Sequence, residues 1–248
     1  MTQSICDTKA TAGQTKIFDS LPVLPRKIQR SGFAYSFAAL PKEEDSMNNI
    51  VKARIKIRGT RPLLQHKFGP EALPLEKGEK TGVAGNDPEE WKRTCMVTKD
   101  GQLYVSGTYV FGMLRDAAKH TRRGKGSLSP LVAATLQIEE ERILLDRFVP
   151  KDGPTIDSTD PVYIHVSGVR NPATKARNIR YRLAAATGWT AECTLLWDKS
   201  VVSRDQMKAV LNDAGVLVGL ADGRTIGYGR FEVQSFEELI NAPETTAA

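Results

Sequence analysis

Four glycines stand at positions 219, 223, 227 and 229, and Arg224, Tyr228 and Arg230 are interleaved with them. Glycine lets a backbone pass close to a ligand, and arginine grips a phosphate through parallel N–H donors. Gly219–Val233, read as G-L-A-D-G-R-T-I-G-Y-G-R-F-E-V, therefore has the makings of a phosphate-binding loop. Tyr228 would offer a face on which a base can stack. An ordinary hairpin or bulge loop with turn glycines is the competing reading.

A second set of cations lies in V-K-A-R-I-K-I-R, residues 51–58. In a strand, successive side chains point to opposite faces. Val51, Ala53, Ile55 and Ile57 then line one face, and Lys52, Arg54, Lys56 and Arg58 the other. Four like charges on one face repel, so something anionic should compensate them. Acidic neighbouring strands would do so, and so would a bound phosphate backbone. The plain alternative is the solvated face of an edge strand, where lysine blocks aggregation.

Two further basic groups follow. Lys119, His120, Arg122, Arg123 and Lys125 close a helical stretch, where cations also suit the helix dipole. Residues 168–182 carry Arg170, Lys175, Arg177, Arg180 and Arg182 and no acidic residue. They read as the rim and return arm of a basic hairpin.

Other chemistries are poorly served. His66, His120 and His165 lie far apart and no cysteine pairs occur, so neither a zinc site nor any other metal site is expected. Neither a phosphate-loop lysine motif nor a nucleophile elbow is present, and no cofactor is implied. Glu89-Glu90 and Glu139-Glu140-Glu141 read as solvated faces. Trp91, Trp189 and Trp197 read as core or rim residues, with Trp189, in A-T-G-W-T, the one expected to be exposed.

The elements that must position these groups can be read in order. Residues 1–49 lack sustained periodicity and read as an arm, partly disordered, with docking pieces at 17–23 and 33–40. The first strand, 51–58, leads through Gly59 and Pro62 into a long exposed stretch ending near Asn86. Asp87-Pro88-Glu89-Glu90 opens a short helix over Trp91 and Lys92. A strand at 102–106 precedes an amphipathic helix over 108–122, with Phe111, Leu114 and Ala118 on one stripe and Val110, Met113 and Ala117 beside it. Residues 136–149 are extended, with Ile138, Ile143, Leu145 and Phe148 as core candidates. Strands follow at 162–168, 179–183 and 190–198. Ser203-Arg204-Asp205-Gln206 is a capping box for a second helix through Met207, Val210, Leu211 and Ala214, stopped by Gly215. A last strand covers 230–234, with a further helical turn in the tail.

Strand, helix, strand, strand, helix, strand is the α+β, ferredoxin-like or RRM-like order, β-α-β-β-α-β. The body spans 50–236, with insertions at about 60–101 and 150–186 and a frayed tail at 237–248. Such a fold covers one sheet face with two helices and leaves the other open, which is where the cationic ladder would lie. The chain has 248 residues, a net charge of +6 and 40% apolar residues. This fits one domain with extensions and favours polyanion partners without dictating the fold. No apolar run reaches membrane-spanning length, no signal-peptide pattern appears, and the three scattered cysteines (Cys6, Cys95, Cys193) fit a reducing cytoplasm.

Two stretches resemble a known family. Gly219–Val233 is similar to the C-terminal glycine-rich loop of the repeat-associated mysterious protein (RAMP) superfamily, the ferredoxin-like subunits that build CRISPR effector backbones and process guide RNA. L-Y-V-S-G-T-Y-V-F-G-M-L-R-D-A-A-K, 103–119, resembles the family's short strand, small-residue turn and first helix. The resemblance covers about 50–233, and the arm has no counterpart. It implies a non-catalytic subunit that grips single-stranded guide RNA and assembles beside copies of itself and other subunits of a ribonucleoprotein. A solitary version carried by a phage or mobile element fits as well. By position, 150–182 would be a projecting thumb. The aspartate that target-cleaving members carry after the first strand is missing from 60–69. His66 stands where guide-processing members place a base, in a loop with no evident partner.

The expected interface therefore comprises Lys52, Arg54, Lys56, Arg58, Arg122, Arg123, Arg170, Lys175, Arg177, Arg180, Arg182, Arg224, Tyr228 and Arg230, with Tyr163 or Tyr181 as further stacking candidates. The cations outnumber side chains suited to base edges, so binding should be sequence-tolerant. Rival readings are a phage single-stranded DNA-binding or annealing protein, a metal-independent endoribonuclease using His66 or His120, and a mimic that docks into another complex.

Overall fold

A computed structural model of the chain describes residues 49–69, 87–170 and 177–239. All of them belong to the unit Lys42–Ala248. The N-terminal arm, the end of the first long loop, Lys175 and the tail beyond Leu239 lie outside the described residues.

The elements run β1 (Ile50–Gly59), β2 (Leu63–Gln65), α1 (Glu90–Thr94), β3 (Gln102–Ser106), α2 (Gly107–Ala117), β4 (Arg122–Arg123), β5 (Gly126–Ser127), α3 (Ser129–Thr135), β6 (Gln137–Ile138), β7 (Arg142–Phe148), β8 (Val162–Arg170), β9 (Arg177–Ala185), β10 (Thr190–Asp198), α4 (Arg204–Asp213) and β11 (Phe231–Leu239). The fold is mixed α and β, dominated by antiparallel sheets. The main sheet has the order β11-β1-β10-β7-β3, with β6 also on β10, and a smaller sheet has the order β2-β9-β8. Every ladder within them is antiparallel.

Strict alternation makes β1 the sheet's organiser. Val51, Ala53, Ile55 and Ile57 are buried in the core with Trp197 and Leu195 of β10. The core continues into Val110, Met113, Leu114 and Ala117 of α2 and Met207, Val210 and Leu211 of α4, so both helices cover this face. Each Val, Leu, Ile or Met side chain among these contributes roughly 1.5–3 kcal/mol on removal from water. Ser203 caps α4 through the expected reciprocal pair with Gln206.

Several boundaries differ from the sequence reading, each for a local reason. Helix α2 ends at Ala117, and Gly124, in a left-handed conformation, turns 122–127 into the β4–β5 hairpin. Arg122 and Arg123 thus leave the helix end. Helix α4 does not stop at Gly215 but continues as a π-helical turn, Ala214–Val218, to Gly219. Gly215 is there for closeness, since a Cβ on it would stand 2.3 Å from the carbonyl oxygen of Phe231. Helix α1 begins one turn later than Asp87, which instead accepts the Glu89 N–H at 3.0 Å. Phe148 is out of phase with Ile143 and Leu145 and faces outward. The last strand extends through Phe236 to Leu239, where a helical turn is expected from sequence. Trp189 is fully buried, not exposed: its indole N–H donates to the Arg61 carbonyl at 2.9 Å.

Candidate nucleic-acid interface

The cationic ladder forms as expected, with Lys52, Arg54, Lys56 and Arg58 on the face away from the core. Its charge is partly met from within. Lys52 pairs with Glu139 at 2.6 Å and Arg54 with Glu192 at 3.4 Å. The register also sets Glu237 opposite Arg54, Glu192 opposite Lys56 and Glu232 opposite Arg58. Acidic neighbouring strands therefore supply the compensation for the first two rungs. Among the described residues, Lys56 and Arg58 form no ion pair.

The basic hairpin divides likewise. Arg170 and Arg177 face each other across the β8–β9 ladder, and both are exposed. Arg180 pairs with Glu90, whose second oxygen accepts the Tyr181 N–H at 3.0 Å. Arg182 is buried, with Nε 2.7 Å from Asp222 and Nη1 2.9 Å from Ser167 Oγ. The Asp222 contact is an ion pair whose alignment falls short of a hydrogen bond. Glu90 is the hinge of this arrangement, and His66 Nε2 also approaches it at 3.4 Å. Burial pushes the Glu90 carboxyl up, but the Tyr181 N–H, Arg180 and His66 outweigh that and hold it below the ordinary range. His66 thus has a partner 24 residues downstream that no local pattern announces.

The glycine loop is built chiefly to close on itself. Gly219, Gly223, Gly227 and Gly229 all have positive φ. A Cβ on Gly229 would stand 1.9 Å from the Leu220 oxygen, and one on Gly219 2.6 Å from the Tyr228 oxygen. The N–H groups of Leu220, Asp222, Ile226, Gly227, Tyr228 and Gly229 are engaged with protein carbonyls. The loop's cations and its tyrosine, more than its backbone, are what it can offer a ligand. Arg224 reaches Asp116 at 3.3 Å. Tyr228 Oη lies 2.9 Å from His165 Nε2, with the two rings edge to face. Burial, then the charge of Arg182, depress the His165 pKa. Tyr163, a stacking candidate from sequence, is buried and unavailable for that role.

The residues that do converge lie where β1 ends. The Thr60 and Arg61 N–H groups both donate to the Arg230 carbonyl, at 2.8 and 3.2 Å. Gly188 lies beside this crossing, donating to the Gly59 carbonyl, and a Cβ on it would stand 3.7 Å from Arg147 Nη2 and 3.9 Å from Arg58 Nη2. The Arg58 and Arg147 guanidiniums thus meet beside Gly188, while Arg61 and Arg230, joined through the same backbone crossing, share the wall of a cleft. Among the described residues, Asp146, on Arg147 at 2.7 Å, is the one carboxylate in an ion pair with any of them. Arg230 Nη1 is buried with no partner among the described residues. Arg61 lies in the wall of two clefts, one of about 680 Å³ shared with Tyr228 and one of about 540 Å³ shared with Arg230. Sequence reasoning singled out Arg58 and Arg230 but not Arg61 or Arg147. Arg61 follows the ladder by three residues, and Arg147 sits at the end of β7 beside an acid that masks it.

Arg122 and Arg123 join none of these groups by hydrogen bond or ion pair among the described residues. Arg123 donates to the Val201 carbonyl at 2.8 Å. No group of three metal-ligating side chains occurs among the described residues. No helix there is long and apolar enough to cross a membrane.

No family model and no curated protein matches the sequence. Among solved structures, a chain of the type III-B Cmr-beta complex bound to cognate target RNA, determined by cryo-EM, is similar with a TM-score of 0.42 and 14% identity. The similarity covers 80% of this chain and 63% of that one, so this chain spans less than two thirds of its length.

Proposed function

We propose that this chain is a non-catalytic nucleic-acid-binding subunit that holds single-stranded RNA by its phosphates. The observation that carries this reading is that the Arg58 and Arg147 guanidiniums meet beside Gly188, with Arg61 and Arg230 in one cleft wall at the backbone crossing that ends β1. Arg170 and Arg177 at the hairpin and Lys56 on the open face extend the cationic path. Lys52, Arg54, Arg180, Arg182 and Arg224, held by Glu139, Glu192, Glu90, Asp222 and Asp116, act as scaffold. The order β11-β1-β10-β7, with α2 after the first of these strands in sequence and α4 before the last, supports a ferredoxin-like core extended by β3. The resemblance of the glycine loop and α2 to the RAMP superfamily favours RNA, and assembly beside copies of itself in a CRISPR-like ribonucleoprotein.

Titration of labelled single-stranded RNA and DNA over a salt series tests this. Affinity should fall linearly on a log–log plot, by about 0.7 for each phosphate neutralised on a single strand. RNA should compete better than DNA, since the 2′-hydroxyl is the group that distinguishes them. Absent or salt-independent binding removes the proposal, and equal binding of both polymers moves it to the single-stranded DNA class.

One observation favours a second reading. His66, approached by Glu90, lines a pocket of about 260 Å³ with Tyr109, Asp222 and Arg224. A histidine base beside an arginine is a constellation suited to metal-independent RNA cleavage. Cleavage in EDTA that His66→Ala abolishes would establish it.

A further inference from the structure

We propose that the cleft between β8 and the glycine loop is a pocket for one unpaired nucleobase, with Arg61 on the adjoining phosphate. The inference rests on the single-strand binding proposed above and names a subsite within it.

Three aliphatic side chains from separate segments project around this cleft: Ile156, 67% exposed, Ile226, 65%, and Val166, 38%. One exposed isoleucine needs no explanation, but three converging on a concavity mark a surface that is covered in use. The aromatic pair Tyr228–His165 adds a face, with ring centroids 5.0 Å apart. His165 is held by the single bond to Tyr228, and its Nδ1 has no partner among the described residues. That ring is therefore not a rung of a polar network. At about 680 Å³ the cleft falls within the range of small-ligand sites, roughly 300–1,000 Å³. Aliphatic side chains beside an aromatic pair suit a base, and the exposed Arg61 guanidinium can take a phosphate next to it. A nucleotide within a strand supplies both, whereas an aliphatic side chain or a free phosphate supplies only one.

The test compares an intact single-stranded decamer with a uniformly abasic one, using the full chain and its Ile156→Asp/Ile226→Asp double variant. Both substitutions fall on well-exposed positions, and a denaturation curve checks folding. The wild-type chain should bind the intact strand about tenfold more tightly, the scale of one stacked base, and the double variant should bind both strands equally. A strand carrying 5-iodouracil should cross-link to Tyr228 or His165, which reports on the wild-type chain independently of the variant. Equal binding of intact and abasic strands by the wild-type chain, a preference that survives in the folded double variant, or a cross-link mapping elsewhere overturns the pocket alone. If neither strand binds at all, the single-strand reading falls as well.

Discussion

The indole of Trp189 occupies the space that any side chain on Gly59 would need: a Cβ built there would stand 2.0 Å from Nε1. The ring is fully buried and tied to the Arg61 carbonyl, so it has little room to move aside. Gly59→Ala should therefore destabilise the protein by roughly 1–3 kcal/mol, the range for overpacking. It should also weaken RNA binding, because Arg58 and Arg61 flank the displaced backbone. Gly168→Ala is the control, since nothing stands within 4 Å of its Cβ position. Urea denaturation of the two variants separates them, and equal midpoints would show that the indole yields.

The pairing pattern predicts that the arginines fall into two classes. Arg182 is buried against Asp222 and Ser167. Its replacement by alanine leaves buried polar groups without partners, and should lower stability by about 1–3 kcal/mol. Arg61, exposed and paired with no carboxylate among the described residues, should behave in the opposite way. Arg61→Ala should leave stability within roughly 0.5 kcal/mol while reducing the salt slope of binding by about 0.7. Denaturation and salt titration on both variants check the division.

Much of this frame was legible because it is periodic. The alternation in 51–58 and 190–198 gives two paired central strands, and the capping box at Ser203 gives the start of α4. What periodicity does not carry is which charge meets which. Glu90 reads as one of a solvated acidic pair, yet it is buried under Arg180 and Tyr181 of β9 and His66 of the loop after β2. Trp189 reads as exposed because it follows a turn glycine, yet it packs into the core over Gly59, a contact far away in sequence. Likewise, loop glycines look the same in sequence whether they face a phosphate or their own backbone. The Leu220 oxygen decides the matter for Gly229.

His165 predicts a pH effect near neutrality. Its folded pKa lies below the ordinary 6.5, because of burial first and Arg182 second. A group depressed on folding contributes stability above its unfolded pKa and loses it as pH falls through the folded one. Stability should therefore decline as pH drops below about 6.5, and His165→Gln should flatten this segment. Denaturation midpoints between neutrality and mild acid report it. An unchanged slope in the variant would show that the imidazole titrates freely.

A separate loss at lower pH should come from Glu90. Burial raises its pKa, but hydrogen bonds and charge from Tyr181, Arg180 and His66 lower it further, leaving a net depression below 4.5. The sign is that of a native-state carboxylate: its contribution is complete above the unfolded value and disappears as pH falls through the depressed folded one. Glu90→Gln keeps an acceptor oxygen for only one of Tyr181 and Arg180, which bond different oxygens of the carboxylate, and removes the charge, so it should reduce stability at neutral pH and erase this acid segment. Glu90→Ala should cost more, about 1–3 kcal/mol, since the Tyr181 N–H and Arg180 both lose their partner. Because Glu90 joins α1 to β9, the loss should appear first in the hairpin, as faster amide exchange at Tyr181 than at Ile55 in the main sheet. Exchange that accelerates equally at both positions would mean that Glu90 supports the whole fold and not the hairpin in particular.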